Sequence, residues 1–252
     1  MSGHSKWHNI KLKKGKVDAQ RGAVFTKVSK EIILAARGGS PDPDANYRLK
    51  MAVEKARAAN MPMDNIKRAI ARATGEGSDK QIEEIRYEGY GPSGVAVVVD
   101  AATDNRNRTA AELRFLFSRH GGALGESGSV AWMFDPRGLL EVDAGQRDEE
   151  QLMEDALVDG VVDVRFPSDP HAEPAEIITE PGALAGVRES LAAKGIAVKS
   201  MVLGVEPKTR VALADGELPG ALDFLEALDE HEDVQRVFSN LAFDDAQIEA
   251  LA

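Results

Sequence analysis

The residues with the most binding chemistry lie at the start of the chain. Lys6, Lys11, Lys13, Lys14 and Lys16 share the first sixteen residues with one aromatic, Trp7, two histidines and Gly15. An ammonium group that meets a phosphodiester releases a condensed counterion, and an exposed indole can stack on a base or wedge into a groove. The run has no apolar face that would fold it onto a core, so it reads as an arm. It is continuous with Arg21, Lys27 and Lys30, and Arg57 lies further out. These residues and Trp7 are the expected nucleic-acid-binding set. Phosphate contacts fix position without reading sequence, so the lysines specify a polyanion and not which one. Arg48, Lys50, Lys55, Lys67, Arg68 and Arg72 add positive charge. No helix-turn-helix spacing accompanies them, and the Asn60-Met61-Pro62 turn reads as a plain helix connector.

Other chemistry is thinly supported. His4 and His8 are four apart, while His120, His171 and His231 are scattered; a metal site needs three or four converging ligands with a supporting shell, so no metal is expected. There is no cysteine, which excludes disulfides, Cys-ligated zinc, iron–sulfur clusters and thiol nucleophiles. Gly125-Glu126-Ser127-Gly128-Ser129 has the glycines of a phosphate loop but lacks the Lys-Ser/Thr that nucleotide binding requires. Asp104-Asn105-Arg106-Asn107-Arg108 follows a strand and opens a helix. Asp104 is the expected N-cap there, with ligand binding at the strand's end as the alternative. The enzymatic alternative is a metal-dependent nuclease, with two of Glu83, Glu84, Glu88, Asp100, Asp104, Glu112 and Glu126 holding Mg²⁺ for phosphodiester cleavage. Residues 78–252 hold 35 Asp and Glu, so proximity of a few is expected by chance. The expectation is a protein that is not an enzyme and carries no cofactor.

Three alanine-rich helices would position the basic residues. The first starts near Asp18, uses Phe25, Val28, Ile32 and Ala35 or Ala36, and stops at Gly38-Gly39. Pro41-Asp42-Pro43 predicts a second helix capped by Asp42, with Leu49, Ala52 or Val53, and Ala56 inward. A third follows Pro62 and uses Ile66, Ile70 and Ala73. Beyond a linker at 75–80 the period changes to strands at 85–90 and 95–100, a helix at 108–119 and a strand at 130–134. Residues 138–205 then give β-α-β-β-α-β, the ferredoxin-like order, followed by a helix at 218–228 and a strand at 234–242. The predicted fold class is α+β, with an N-terminal three-helix domain followed by two α/β domains, the last one ferredoxin-like and inserted into the middle one. The boundaries are 1–77 for the arm and bundle, 81–134 with 206–245 for the middle domain, and 138–205 for the insert.

Net charge sharpens this division. The 252 residues carry −11 overall, but residues 1–77 hold 16 Lys and Arg against 7 Asp and Glu, a net of +9, which leaves −20 on the rest. A basic module on an acidic body fits a polyanion partner. The 43% hydrophobic and 29% charged composition is that of a globular protein. With no long apolar run and no secretory leader, the expected location is the cytoplasm, with no membrane partner.

Longer motifs carry a resemblance. Gly3-His4-Ser5-Lys6-Trp7 with Asn9-Ile10-Lys11, Asp18-Ala19-Gln20-Arg21-Gly22, Phe25-Thr26-Lys27 and Asp42-Pro43-Asp44-Ala45-Asn46 resemble the YebC/PmpR family. So do Val53 to Pro62, Tyr87-Glu88-Gly89-Tyr90-Gly91-Pro92, Thr103 to Thr109 and Leu124 to Trp132. Leu12 and Ala23 depart from the more usual polar or basic residues, and matching is weak over 138–205. The resemblance implies a three-domain, cytoplasmic, non-enzymatic protein of the kind described as a DNA-binding transcriptional regulator. Related members, including a mitochondrial translational activator, act on the ribosome during synthesis of difficult sequences such as proline runs. The expected partner is therefore DNA, or ribosomal RNA and the ribosome in the alternative.

Overall fold

The structure is a computed structural model, and it describes residues 21–75, 81–167, 174–214, 216–243 and 247. Lys6, Trp7, Lys11, Lys13, Lys14 and Lys16, with the side chain of Arg21, lie outside the described residues.

Three helices open the described chain: α1 (Arg21–Arg37), α2 (Tyr47–Ala58) and α3 (Met63–Ala73). Val28, Ile32, Ile33, Ala35 and Ala36 of α1 pack on Leu49, Ala52, Val53 and Ala56 of α2 and on Ile66 and Ala69 of α3. The alanines let the helix axes approach closely. The α2 terminus closes with the Met61 amide donating to the Ala56 carbonyl and the Asn60 amide to that of Arg57. Asn60 has φ +60°. This is a Schellman closure with Asn in the left-handed position, and it folds the buried Met61 back over the helix end.

The α2 start corrects the sequence expectation. Asn46, not Asp42, is the cap, and its Oδ1 accepts from the Leu49 amide. Asp42 instead accepts from the Asp44 amide at 3.0 Å and closes a turn through Ala45. That local Asx turn removes Asp42 from competition. The Asn46 Nδ2 also donates to the carbonyls of Ala35 at 2.8 Å and Ser40 at 2.7 Å, so one side chain caps α2 and ties it to the end of α1. Asn46→Ala is expected to lower stability by about 2 kcal/mol, about half from the cap and the rest from two partly buried carbonyls left without a partner. A urea melt checks this; a loss below about 0.5 kcal/mol would contradict the double role.

Next come β1 (Glu83–Tyr90), β2 (Ala96–Thr103), α4 (Arg106–Arg119) and the short β3 (Ala123–Leu124). The chain then makes a second sheet from β4 (Phe134–Asp143), β5 (Val161–Arg165), β6 (Ala175–Thr179) and β7 (Ala197–Pro207), with α5 (Glu149–Ala156) and α6 (Leu184–Ala193) between strands. After β8 (Val211–Ala212) and α7 (Leu218–Glu230) it returns as β9 (Val234–Ser239) and β10 (Leu241–Ala242). The first sheet has the order β3-β1-β2-β9, so a strand laid down after the whole second sheet flanks β2. The second has the antiparallel order β5-β6-β4-β7, the ferredoxin-like arrangement, with both helices on one face. The fold is α+β, a helical front piece followed by sheet domains.

Period-2 alternation decides which side each strand buries. Val97 and Val99 of β2 face α4 and α7, meeting Leu113, Phe117, Phe224, Leu225 and Leu228. Ala96 and Val98 face the other way and meet Leu139, Ile178 and Val205 of the second sheet, with Phe238 of β9. Ala102 continues that second face into the helical core, beside Ile82. Because β2 is covered on both faces, its sequence is a nearly unbroken apolar run interrupted by Asp100. In the second sheet Leu140, Val142 and Ile177 turn toward Leu152, Val187 and Leu191 of α5 and α6.

One predicted strand is absent. In place of a strand at 130–134, Ala131–Met133 is a short 3₁₀ turn that leads directly into β4 at Phe134. The Val130 and Ala131 amides donate to the Glu88 carboxylate and are unavailable to a ladder.

Candidate nucleic-acid interface

The cations of the helical domain divide into two populations. Lys27 donates to the Asp229 carbonyl, and its ammonium lies 3.9 Å from the Asp229 carboxylate. Lys30 donates to the Glu232 carbonyl at 3.0 Å and to the Asp233 carboxylate. Arg48 pairs with Glu84 at 2.7 Å, Lys55 with Glu31 at 2.9 Å, and Arg37 donates to the Ile82 carbonyl at 2.9 Å. These groups face the chain's own acceptors. Lys50, Arg57, Lys67 and Arg68 are exposed and pair with no carboxylate among the described residues. Thus Lys27 and Lys30 lie against the acidic body, while Arg57 points outward from α2.

Of these, Lys30 reaches Asp233, in the turn between α7 and β9. Its side chain is fully buried and accepts from Lys30, from Arg108 at 2.9 Å and from the Thr109 hydroxyl at 2.6 Å. The Thr109 oxygen is also 2.8 Å from that of Thr103. Burial alone would raise the Asp233 pKa. The hydrogen bonds from Lys30, Thr109 and Arg108 outweigh it and hold the carboxyl well below the usual carboxylate range. The Asp233 amide donates to Nδ1 of His231, so Nε2 of the neutral ring carries the proton and faces Glu112 at 3.0 Å. Glu112, His231 and Asp233 are close enough to share a cation. However, the Asp233 oxygens are already taken by Lys30, Arg108 and Thr109, which makes the group an ion-pair anchor.

A polar seam extends this anchor. Glu31 of α1 also faces Arg236 of β9 at 3.8 Å. Burial would raise the Glu31 pKa, but Lys55 and Arg236 bring it below its ordinary value. Arg86 and Asp100, cross-strand partners on β1 and β2, bond through two contacts of 2.7 and 3.0 Å. On the far side, the Arg188 guanidinium of α6 lies 3.9 Å above the centre of the Tyr47 ring, a cation–π contact between helical domain and second-sheet unit.

The two loops singled out in the sequence hold structure together. At residues 103–109 the cap is Asn105, which accepts from the Arg108 amide, and not Asp104. Asp104 lies beside the Arg108 guanidinium at 3.4 Å, and the Asn105 amide is fixed by the Thr103 hydroxyl. The glycine-rich loop at 124–131 is an anion nest filled from within. Glu88 accepts from the amides of Gly128 at 2.8 Å, Val130 at 2.9 Å and Ala131 at 2.7 Å. Burial works against the ionised Glu88, and the three amides overcome it and lower its pKa. Of the carboxylates considered for Mg²⁺, Glu84, Glu88, Asp100 and Glu112 thus have partners of their own.

Asp233 and Glu88 are the residues the sequence reading did not assign their roles. Asp233 carries no local signal, because its donors come from α1 and α4. For Glu88 a weak signal exists: a buried carboxylate in a strand must find donors, and a Gly-Ser-Gly-Ser loop supplies exposed amides.

These features define a class: a three-part α+β protein whose basic helical piece docks through carboxylates onto two stacked α/β sheets. Residues 5–76 match the family model described as the TACO1/YebC protein N-terminal domain, and residues 82–241 match that of the TACO1/YebC second and third domain. The chain belongs to the TACO1/YebC family, in agreement with the resemblance carried by its motifs. A "Probable transcriptional regulatory protein" of Moorella thermoacetica is 52% identical over 243 residues, 95% of each chain. A protein of the same name from Dictyoglomus turgidum is 44% identical over 253 residues, the full length of both. The crystal structure of a conserved hypothetical protein from Aquifex aeolicus superposes with a TM-score of 0.81 at 43% identity, covering 91% of this chain and 93% of that one. Among the described residues, no helix is long and apolar enough to cross a membrane.

Proposed function

We propose that this chain is a non-enzymatic, cytoplasmic nucleic-acid-binding regulator of gene expression that acts at transcription by gripping DNA through its basic N-terminal region. The observation that carries this reading is the charge division, +9 on residues 1–77 against −20 on the remainder. The regulatory names of its relatives agree with it. The acidic body repels a phosphate backbone, so binding is confined to one side of the molecule. Lys6, Lys11, Lys13, Lys14 and Lys16 neutralise phosphates and Trp7 stacks or wedges, without catalysis or cofactor.

A salt titration of the full chain on labelled duplex DNA and on purified ribosomes tests this. Five arm contacts contribute about −4 to −5 to the slope of log affinity against log salt on duplex DNA. Neutralising the five arm lysines to glutamine is expected to remove that contribution. Tight, arm-dependent binding to ribosomes beside weak DNA binding would move the activity to translation. Strand cleavage dependent on Mg²⁺, seen on a denaturing gel, would replace both readings with a nuclease.

A further inference from the structure

A polyanion responds only to cations that the protein has not already neutralised. Lys27 and Lys30 project from the same helix face, and both are bonded to the turn that ends α7. Freeing Lys30 for a phosphate would strand the fully buried Asp233 carboxylate. Breaking a buried pair costs far more than an exposed ion pair returns. Lys30 is therefore held by the body whether or not nucleic acid is present, and Lys27 is bonded to the same helix end.

Other exposed positions on α2 and α3 differ. Lys50 and Arg57 are seven residues apart on α2, two helical turns on one face, and about 10 Å apart along the axis. On α3, Ile66 and Ala69 are buried while Lys67 and Arg68 fill the exposed sector between them. Glu54 and Asp64 are the exposed carboxylates on these two helices, so these four cations outnumber two anions. Arg48 and Lys55 of α2 are exposed as well, but they are matched by Glu84 and Glu31.

We infer that the outer faces of α2 and α3, through Lys50, Arg57, Lys67 and Arg68, form a second phosphodiester-binding surface beside the arm, and that Lys27 and Lys30 contact no phosphate. This rests on the nucleic-acid reading above and names the surface that performs it. The shared ligand is a sugar–phosphate backbone, so the surface sets position and leaves sequence unread.

The test uses the full chain and three variants: K50Q/R57Q/K67Q/R68Q on the outer face, K27Q/K30Q on the inner face, and the five arm lysines changed to glutamine. Each is titrated with salt on a mixed-sequence duplex DNA and on purified ribosomal RNA, and each is melted thermally. On duplex DNA the outer variant should have a slope shallower by about 3 to 4, at about 0.9 per lost phosphate contact, with an unchanged melting temperature. The inner variant should keep the parental slope and melt at lower temperature. The DNA and RNA arms show which backbone binds more tightly, and the outer variant must weaken whichever that is. A parental slope in the outer variant overturns the inference, as does a shallower slope in the inner variant. If the unmodified chain binds neither nucleic acid at low salt, the underlying reading fails and the inference falls with it.

Discussion

Asp233→Ala is expected to destabilise the protein by about 3–5 kcal/mol, the range for removing one partner of a buried charged pair. At this chain length each kcal/mol moves the midpoint by about 2–4 °C, so a loss of roughly 10 °C should appear in a thermal scan. The substitution removes the acceptor shared by Lys30, Arg108 and Thr109 and leaves Lys30 facing a void. Asp233→Asn keeps the shape but loses the charge and should fall between the two. The pH dependence has a definite sign. The Asp233 pKa is depressed in the folded state, so its stabilisation is fully present above the unfolded value of about 3.9 and is lost as pH falls toward the folded value. The stability gap between parent and Asp233→Asn should therefore be constant from about pH 5 to 7 and narrow below about pH 4. A variant within 1 kcal/mol of the parent at neutral pH would show that Asp233 does not anchor the helical domain.

Glu88→Ala should have an effect of similar size, about 3–5 kcal/mol, by a different route. It leaves the amides of Gly128, Val130 and Ala131 without an acceptor in a site where the carboxylate is almost wholly buried. Each stranded donor costs about 1–3 kcal/mol, reduced where water can enter. Glu88→Gln offers one acceptor oxygen and turns an NH₂ group toward other donors, so it should recover little. Faster hydrogen exchange at these three amides would locate the loss in the 124–133 loop. Unchanged protection there, with global destabilisation, would refute the nest as the cause. The Glu88 pKa is lowered as well, so this stabilisation too is lost on acidification.

The legible parts of the fold were those in which a short stretch of sequence carries its own instruction. The three- and four-residue spacing of Phe25, Val28, Ile32 and Ala36 named the buried face of α1, and the β-α-β-β-α-β order named the second sheet. Where two local signals competed, the choice went wrong by a few residues. Asp42-Pro43 has the look of a helix start, but Asn46 reaches two carbonyls that Asp42 does not, and it holds the cap. Asn105 displaced Asp104 in the same manner, as Arg108 offered Asp104 an ion pair. The strand expected at 130–134 had the right composition; what redirected it was a carboxylate more than forty residues earlier. For the candidate site, charge counting located the basic domain but assigned no direction to any side chain. The bonds from Lys27 and Lys30 to the body left no trace in the local sequence, because their partners lie some two hundred residues away.

The return of β9 to the flank of β2 has a consequence for how the protein is made. A chain emerging from its N terminus completes α1 to α3 early and has all of the second sheet by residue 207, each built from neighbouring segments. The first sheet cannot close until Val234–Ser239 has been synthesised, and Asp233, the acceptor for Lys30, arrives at the same moment. Until then the edge of β2 that β9 will take is unpaired, and its two apolar faces lack the cover that Val237 and Phe238 supply, a hazard for association with other nascent chains. The first sheet, begun at residue 83, is thus the last to close, and the few residues from Asp233 to Ser239 seal its interior and lock the helical domain in one step.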